Sequence, residues 1–253
     1  MKFGVIINTA ALLATFALSD EVSAAIVTVT YESTVGSGQD YTGVFGQVGH
    51  LGGGDFTAVY KFDTSVGTLV TGPLIYSASG GADVGSKSPS LGVIITINGV
   101  SRLVDGSSFG SIQGTSGSIS SGIVSQQYHY AGISTQIYNP DGYTAESSFV
   151  SMQIGGPIGY FPGSIDESFG PISAIPAYNF LNIGSIQIQN YSYNNISGAT
   201  IYQDYVYADL LVTSITEVAV APEPDTWAML LVGFGCIGGM MRIPRRRTVL
   251  VKS

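Results

Sequence analysis

Over residues 55–63 the chain alternates strictly, with Phe56, Ala58, Tyr60 and Phe62 on one side and Thr57, Lys61 and Asp63 on the other. A period of two gathers the apolar set on one face of a pleated strand, whereas helical spacing would scatter it around the axis. The pattern recurs at residues 26–31, where Val27, Val29 and Tyr31 align, and at 91–97, 149–154, 186–193 and 202–215. Helical periodicity is weak throughout, and Gly, Ser and Asn punctuate the runs, which constrains the chain to an all-β fold of many short strands. The sharpest local expectation is a hairpin pairing Gly92–Ile97 with Val100–Val104 across Asn98-Gly99, a dipeptide that supplies the positive φ angles of a type I′ turn. Asp141-Gly142 marks a second turn.

Strands of this kind bury alternate faces by stacking two sheets, so the expected architecture is a single β-sandwich of jelly-roll type. An outer-membrane barrel is the architectural rival. It requires regularly spaced strands of about ten residues with aromatic girdles, and the spacing here is irregular.

Charged residues make up 10% of the chain and apolar ones 45%, with 34 glycines, a balance that suits an exported Gly/Ser/Thr-rich protein better than a disordered chain or a cytosolic enzyme. The net charge of -8 is unevenly spread. Five of the nine basic residues, Arg242, Arg245, Arg246, Arg247 and Lys252, lie at the C-terminal end, Lys2 lies at the start, and only Lys61, Lys87 and Arg102 fall between. A middle block so acidic lacks the clustered cations that neutralise a phosphate backbone, which excludes nucleic acid as a partner. The single cysteine, Cys236, sits in the C-terminal apolar run, so the middle block forms no disulfide and relies on its core for stability.

The N-terminal segment reads as a secretory signal peptide over residues 1–24: Lys2, an apolar stretch from Phe3 to Leu18, then the small-residue pattern Val22-Ser23-Ala24-Ala25. Cleavage fits after either Ala24 or Ala25. At the other end, Pro222-Glu223-Pro224 precedes an uncharged run from Trp227 to Met241 and then the arginines. Trp227 is placed as an interfacial anchor, and Arg242, Arg245, Arg246 and Arg247 form a membrane-stop cluster that stays cytoplasmic by the positive-inside rule. The run is shorter than the ~20 residues that span a bilayer comfortably, which suits a transient anchor. The expected organisation is therefore residues 1–24 as leader, 25–220 as an exported β domain and 221–253 as a tail carrying a transmembrane helix.

Pro222, Glu223 and Pro224, followed by Trp227-Ala228-Met229-Leu230-Leu231, Gly233-Phe234-Gly235 and the arginines, resemble the PEP-CTERM sorting signal in its PEPxxWA form. The resemblance implies transient recognition of the tail by an exosortase, a multi-pass membrane protease, with cutting near the Pro-Glu-Pro. It further implies an inner-membrane-anchored precursor, release or attachment at the cell surface or beyond it, and association with exopolysaccharide or matrix glycans. It covers only the last tenth of the chain. Ile243 and Pro244 interrupt the arginines, and residues 248–253 extend past them. The same tail occurs on some ice-binding proteins, but the likeness is to the sorting signal and implies no ice binding. The stretches at 31–46 and 56–64 resemble exported domains that commonly carry this tail, a resemblance that supplies no activity.

Gly233-Phe234-Gly235-Cys236-Ile237-Gly238 satisfies a dinucleotide fingerprint, yet the chain ends among arginines before any βαβ unit or acidic partner. Small residues there ease helix packing in lipid instead. No cofactor is expected.

His50 and His129 are far apart, with no H-E-x-x-H helix and no cysteine cluster, so no metal site is read from them and both are assigned to loop or strand positions. No G-x-S-x-G elbow occurs, and the serines belong to turns and solvent-facing strand positions. Glu32, Asp40, Asp55, Asp63, Asp166 and Glu167 are scattered carboxylates without EF-hand spacing. No catalytic residue is assigned, and the alternative, a secreted polysaccharide-acting hydrolase, requires two carboxylates converging across a cleft. The suggestive surface is aromatic. Tyr128 and Tyr130 flank His129, Tyr191 pairs with Tyr193, and Tyr205 pairs with Tyr207, each pair sharing a strand face. With Val206, Ala208, Leu210 and Val212 facing the core, Tyr205, Tyr207 and Asp209 form an exposed patch able to contact a glycan. Asn190 and Asn195 begin N-glycosylation triplets.

Overall fold

A computed structural model describes residues 26–72, 75–118, 125–138, 144–162, 164, 167–194, 197 and 199–220. The expected leader and tail, the Asp141-Gly142 turn, Asp166, and Asn195 and Ile196 of the second glycosylation triplet lie outside the described residues.

The described chain is all-β. Its strands are β1 (Ile26–Asp40), β2 (Gly49–His50), β3 (Asp55–Asp63), β4 (Thr68–Gly72), β5 (Ile75–Gly80), β6 (Ser90–Ile97), β7 (Val100–Val104), β8 (Phe109–Ser118), β9 (Ser125–Tyr138), β10 (Thr144–Pro157), β11 (Phe169–Ser173), β12 (Ile183–Asn194) and β13 (Ala199–Val220). Short 3₁₀ turns at Ala82–Val84 and Pro176–Leu181 are the helical elements among the described residues. Every expected strand run falls inside one of these strands, and the predicted face of β3 is buried throughout: Phe56, Ala58, Tyr60 and Phe62 are each 1% exposed or less. The hairpin forms as expected, with Ile97 opposite Val100, Val93 opposite Val104, and φ of 50° and 82° at Asn98 and Gly99.

All thirteen strands belong to one antiparallel sheet, in the order β4-β5-β8-β9-β10-β12-β13-β1-β3-β6-β7, with β11 added on β13 and β2 on β1. The two separate sheets expected of a jelly-roll sandwich are not what forms among the described residues: one sheet curls into a half-barrel, and its facing wings stand in for the two layers. Where the wings meet, backbones approach closely. A Cβ on Gly110 would lie 2.5 Å from the Cβ of Ser90, and one on Gly106 would lie 3.2 Å from that of Ile133. The Ser88 hydroxyl donates to the Gly106 carbonyl at 2.7 Å, and Thr135 Oγ1 donates to the Asp105 carbonyl.

The curl encloses a core that includes Tyr31, Tyr60, Ile95, Ile112, Ile133, Met152, Ile186 and Leu210. Each such side chain contributes about 1.5–3 kcal/mol by leaving water. The outward positions on β10, β12 and β13 mix Ser, Gln, Tyr and Asp with exposed Phe149, Ile183, Leu211 and Val218. Among the described residues, β4 and β7 each pair on one side only, so the sheet has two edges.

Candidate functional site

The outer face of β13 carries the tyrosine patch. Val206, Ala208, Leu210 and Val212 are buried as expected, Tyr207 is 40% exposed, Asp209 is exposed, and Tyr205 is half-buried. Tyr205 is covered by rings on both sides, because Tyr41 stacks on it at 4.8 Å and 10° while Tyr202 stacks at 4.7 Å and 20°. Tyr191 packs against Tyr202 at 5.8 Å, and Tyr207 leans on Tyr41 at 6.1 Å. The result is a five-ring ladder, Tyr191, Tyr202, Tyr205, Tyr41 and Tyr207. Tyr205 is an inner rung that builds it, and Tyr207 is an outer rung with more of its ring in solvent. Desolvation among these rings, followed by the neighbouring Tyr207 hydroxyl, holds the Tyr41 phenol above its ordinary pKa.

Tyr41 reaches the ladder because of Asp40, one of the scattered acids. Its carboxylate is fully buried and accepts four backbone N–H bonds, from Thr42, Gly43 and Val44 on Oδ1 and from Phe45 on Oδ2, at 2.7–3.2 Å. Donors of this kind stabilise a carboxylate strongly. They wind the chain after β1 into a tight turn, which Tyr41 N–H and Thr42 Oγ1 dock onto the backbone of Tyr205 at 2.9 and 2.8 Å.

Two adjoining grooves run beside the ladder. One, of about 350 Å³, is lined by residues including Phe149, Gln187, Tyr205 and Tyr207. The other, of about 400 Å³, is lined by residues including Tyr130, Ser151, Gln153, Ile183 and Leu211. Ser185 and Asp209 belong to both, and among the described residues neither is lined by Lys or Arg. Asp209 Oδ2 accepts from Ser37 at 2.9 Å, which fixes its carboxylate on the sheet surface. Tyr130 lies flat across Gly132, whose missing side chain makes the room: a Cβ there would fall 2.1 Å from the phenol oxygen.

The two histidines differ. His50 is exposed in β2, beside a loop groove of about 550 Å³ that Asn98 also lines. His129 is fully buried in β9 and reaches across the core to the opposite layer. Its Nδ1 lies 2.8 Å from the Tyr31 hydroxyl and its Nε2 lies 2.7 Å from Glu217 Oε2, all three residues being 0% exposed. A neutral imidazole satisfies the arrangement, with the Tyr31 O–H donating to Nδ1 and Nε2–H donating to the carboxylate. Phe161 and Phe169 pack on the ring at 6.1 and 6.0 Å. Burial first, then the neighbouring phenol of Tyr60 and the Glu217 carboxylate, pushes the Tyr31 phenol well above its usual range; burial does the same to Tyr60. The chain of groups is sealed from solvent, and its geometry makes it a clamp between β9 and the β1–β13 pair.

Neither Tyr31 nor Glu217 was singled out by sequence reasoning. For Glu217 the cause is a bulge: Ser33 pairs with Val212 but Glu32 pairs with Ser214, so Thr213 is an extra residue. The insertion flips the side-chain alternation, placing Ile215 and Glu217 on the core face that Val212 had occupied.

Other carboxylates serve local bonds. Glu32 Oε2 accepts from Ser214, and Asp63 Oδ1 accepts from Ser65 N–H. Among the described residues, no three His, Cys, Asp or Glu side chains group to hold a metal ion. No helix among them is long and apolar enough to cross a membrane. Compared with protein-family models and with curated proteins, the sequence finds no match.

Proposed function

We propose that the chain is exported, that its tail is recognised transiently by an exosortase, and that residues 25–220 then act outside the cytoplasm as a structural or glycan-contacting module of envelope or matrix, in company with exopolysaccharide. In this reading the leader and tail are the lipid-seeking parts, with Pro222, Glu223, Pro224, Trp227 and Ala228 as the sorting motif. The inner membrane holds the precursor through the tail helix until processing, and the sandwich-like domain remains on the outer side.

The observation that carries the glycan reading is the exposed ladder beside grooves that contain Asp209, Ser185 and Gln187 but no cation. Tyrosine offers an apolar ring face and a polar tip to a sugar, and the amide, hydroxyl and carboxylate groups bond its hydroxyls. Among the described residues the grooves bring no second carboxylate to Asp209, and Asp40 and Glu217 are committed to backbone and histidine partners, which favours a binding role over hydrolysis.

Retention on immobilised neutral polysaccharide tests the assignment. Truncating Tyr207 to alanine, alone and with Asp209→Ala, removes an outer rung and the central acid while leaving the core untouched, and retention is expected to fall about tenfold, the equivalent of roughly 1.4 kcal/mol. Tyr205→Ala, which takes out an inner rung, is expected to weaken it at least as much. Retention equal to that of the unaltered domain in all three variants would remove the glycan role.

A further inference from the structure

β1 and β13 lie side by side along their length, and their register gives the domain two poles: Ile26 stands opposite Val220 at one extreme and Asp40 opposite Val206 at the other. The first pole holds both points where the chain leaves the described domain. Residues 24 and 25, the candidate leader cleavage sites, join it through Ile26, and the tail joins it through Val220. The second pole holds the Asp40 turn and, through it, the tyrosine ladder. β13 is continuous from Ala199 to Val220, so Tyr205 stands roughly 50 Å along the strand from Val220 at about 3.2–3.4 Å per residue.

The linker to lipid is short. Only residues 221–226 separate Val220 from Trp227, where the apolar run opens, and fully extended they reach about 20 Å. Between residues 26 and 220 stand thirteen Asp and Glu against Lys61, Lys87 and Arg102, so an anionic headgroup layer repels the domain as a body. A body tied at one pole by a tether shorter than itself, and repelled by the surface, turns its free pole outward.

We infer that the membrane-held chain stands end-on, with the Ile26–Val220 pole toward the bilayer and the tyrosine ladder at the membrane-distal pole, facing a neutral polymer outside the cell. This rests on the routing proposed above. It adds the direction in which the glycan-contact surface points, and it explains how one short tail can display that surface clear of the headgroups.

The absence of cysteine from the domain makes the test clean. In a Cys236→Ser background, Val218→Cys near the tethered pole and Gln203→Cys near the far pole both replace exposed residues. Each full-length variant is labelled with a donor dye and reconstituted into phosphatidylcholine–phosphatidylglycerol vesicles carrying a headgroup acceptor. Energy transfer is expected to be strong from position 218 and at least about threefold weaker from position 203, as a pole-to-pole span of roughly 50 Å requires. Equal transfer from both positions would mean that the domain lies on its side, which overturns the inference while leaving membrane anchoring intact. Failure of either labelled chain to float with the vesicles would overturn the anchoring itself, and the inference with it.

Discussion

His129→Ala is expected to lower the unfolding free energy by about 3–5 kcal/mol, the usual cost of leaving a buried charge without its partner. The loss has two parts. The Glu217 carboxylate and the Tyr31 hydroxyl stay in the core without the ring that bonded them at 2.7 and 2.8 Å, and a cavity opens among Phe161, Phe169 and Tyr31. Urea unfolding measures both. The double variant His129→Leu, Glu217→Leu separates them, since replacing the pair by apolar groups removes the stranded acid and is expected to restore at least about 2 kcal/mol relative to His129→Ala. A His129→Ala protein as stable as the parent would show that the two layers are not held by this clamp.

The second large effect is alkaline. Tyr31, Tyr60 and Tyr76 are buried phenols whose pKa values are raised above 10.0, chiefly by desolvation. In the unfolded chain they release protons near pH 10, whereas in the folded chain they hold them to higher pH. The stability they contribute is therefore complete below the unfolded value and is lost as pH rises from there through the folded values. Each group removes about 1.4 kcal/mol per pH unit in that window, so three together remove about 4 kcal/mol per unit. A domain of ordinary stability, about 5–15 kcal/mol, is therefore expected to lose its margin and unfold in strongly alkaline solution. Ultraviolet titration of the phenolates is expected to show an early reversible phase from exposed tyrosines, followed by a cooperative one coincident with loss of circular dichroism. A single phase near pH 10 covering all fifteen tyrosines, with the fold retained, would contradict the burial of these rings.

What the sequence disclosed follows from how local each feature is. The alternation at Phe56, Ala58, Tyr60 and Phe62 and the Asn98-Gly99 turn depend on neighbours a few residues away, and the structure carries both as read. The outward placement of Tyr205, Tyr207 and Asp209 follows from the same parity up to Val212. Beyond the bulge at Thr213 parity reverses, and Glu217, which on simple alternation faces solvent, falls in the core beside His129. Nothing local to His129 announces a partner 88 residues away. The ladder was legible only in part, because Tyr41 joins it through the Asp40 turn, whose four N–H donors come from the backbone and leave no side-chain pattern. That the two layers belong to one curled sheet depends on close approaches at Gly106 and Gly110, where the absence of a side chain says little until its neighbours are known.

On the routing proposed above, both ends of this chain are addressed to a membrane and only the β domain persists outside. Intact-mass measurement of the protein recovered from outside the native cell tests it most directly. The account predicts a species that starts at Ala25 or Ile26 and stops near the Pro222-Glu223-Pro224 motif, lacking the apolar run and the arginines. Recovery of the whole 253-residue polypeptide from the cytosol, soluble and with both ends uncut, would contradict it.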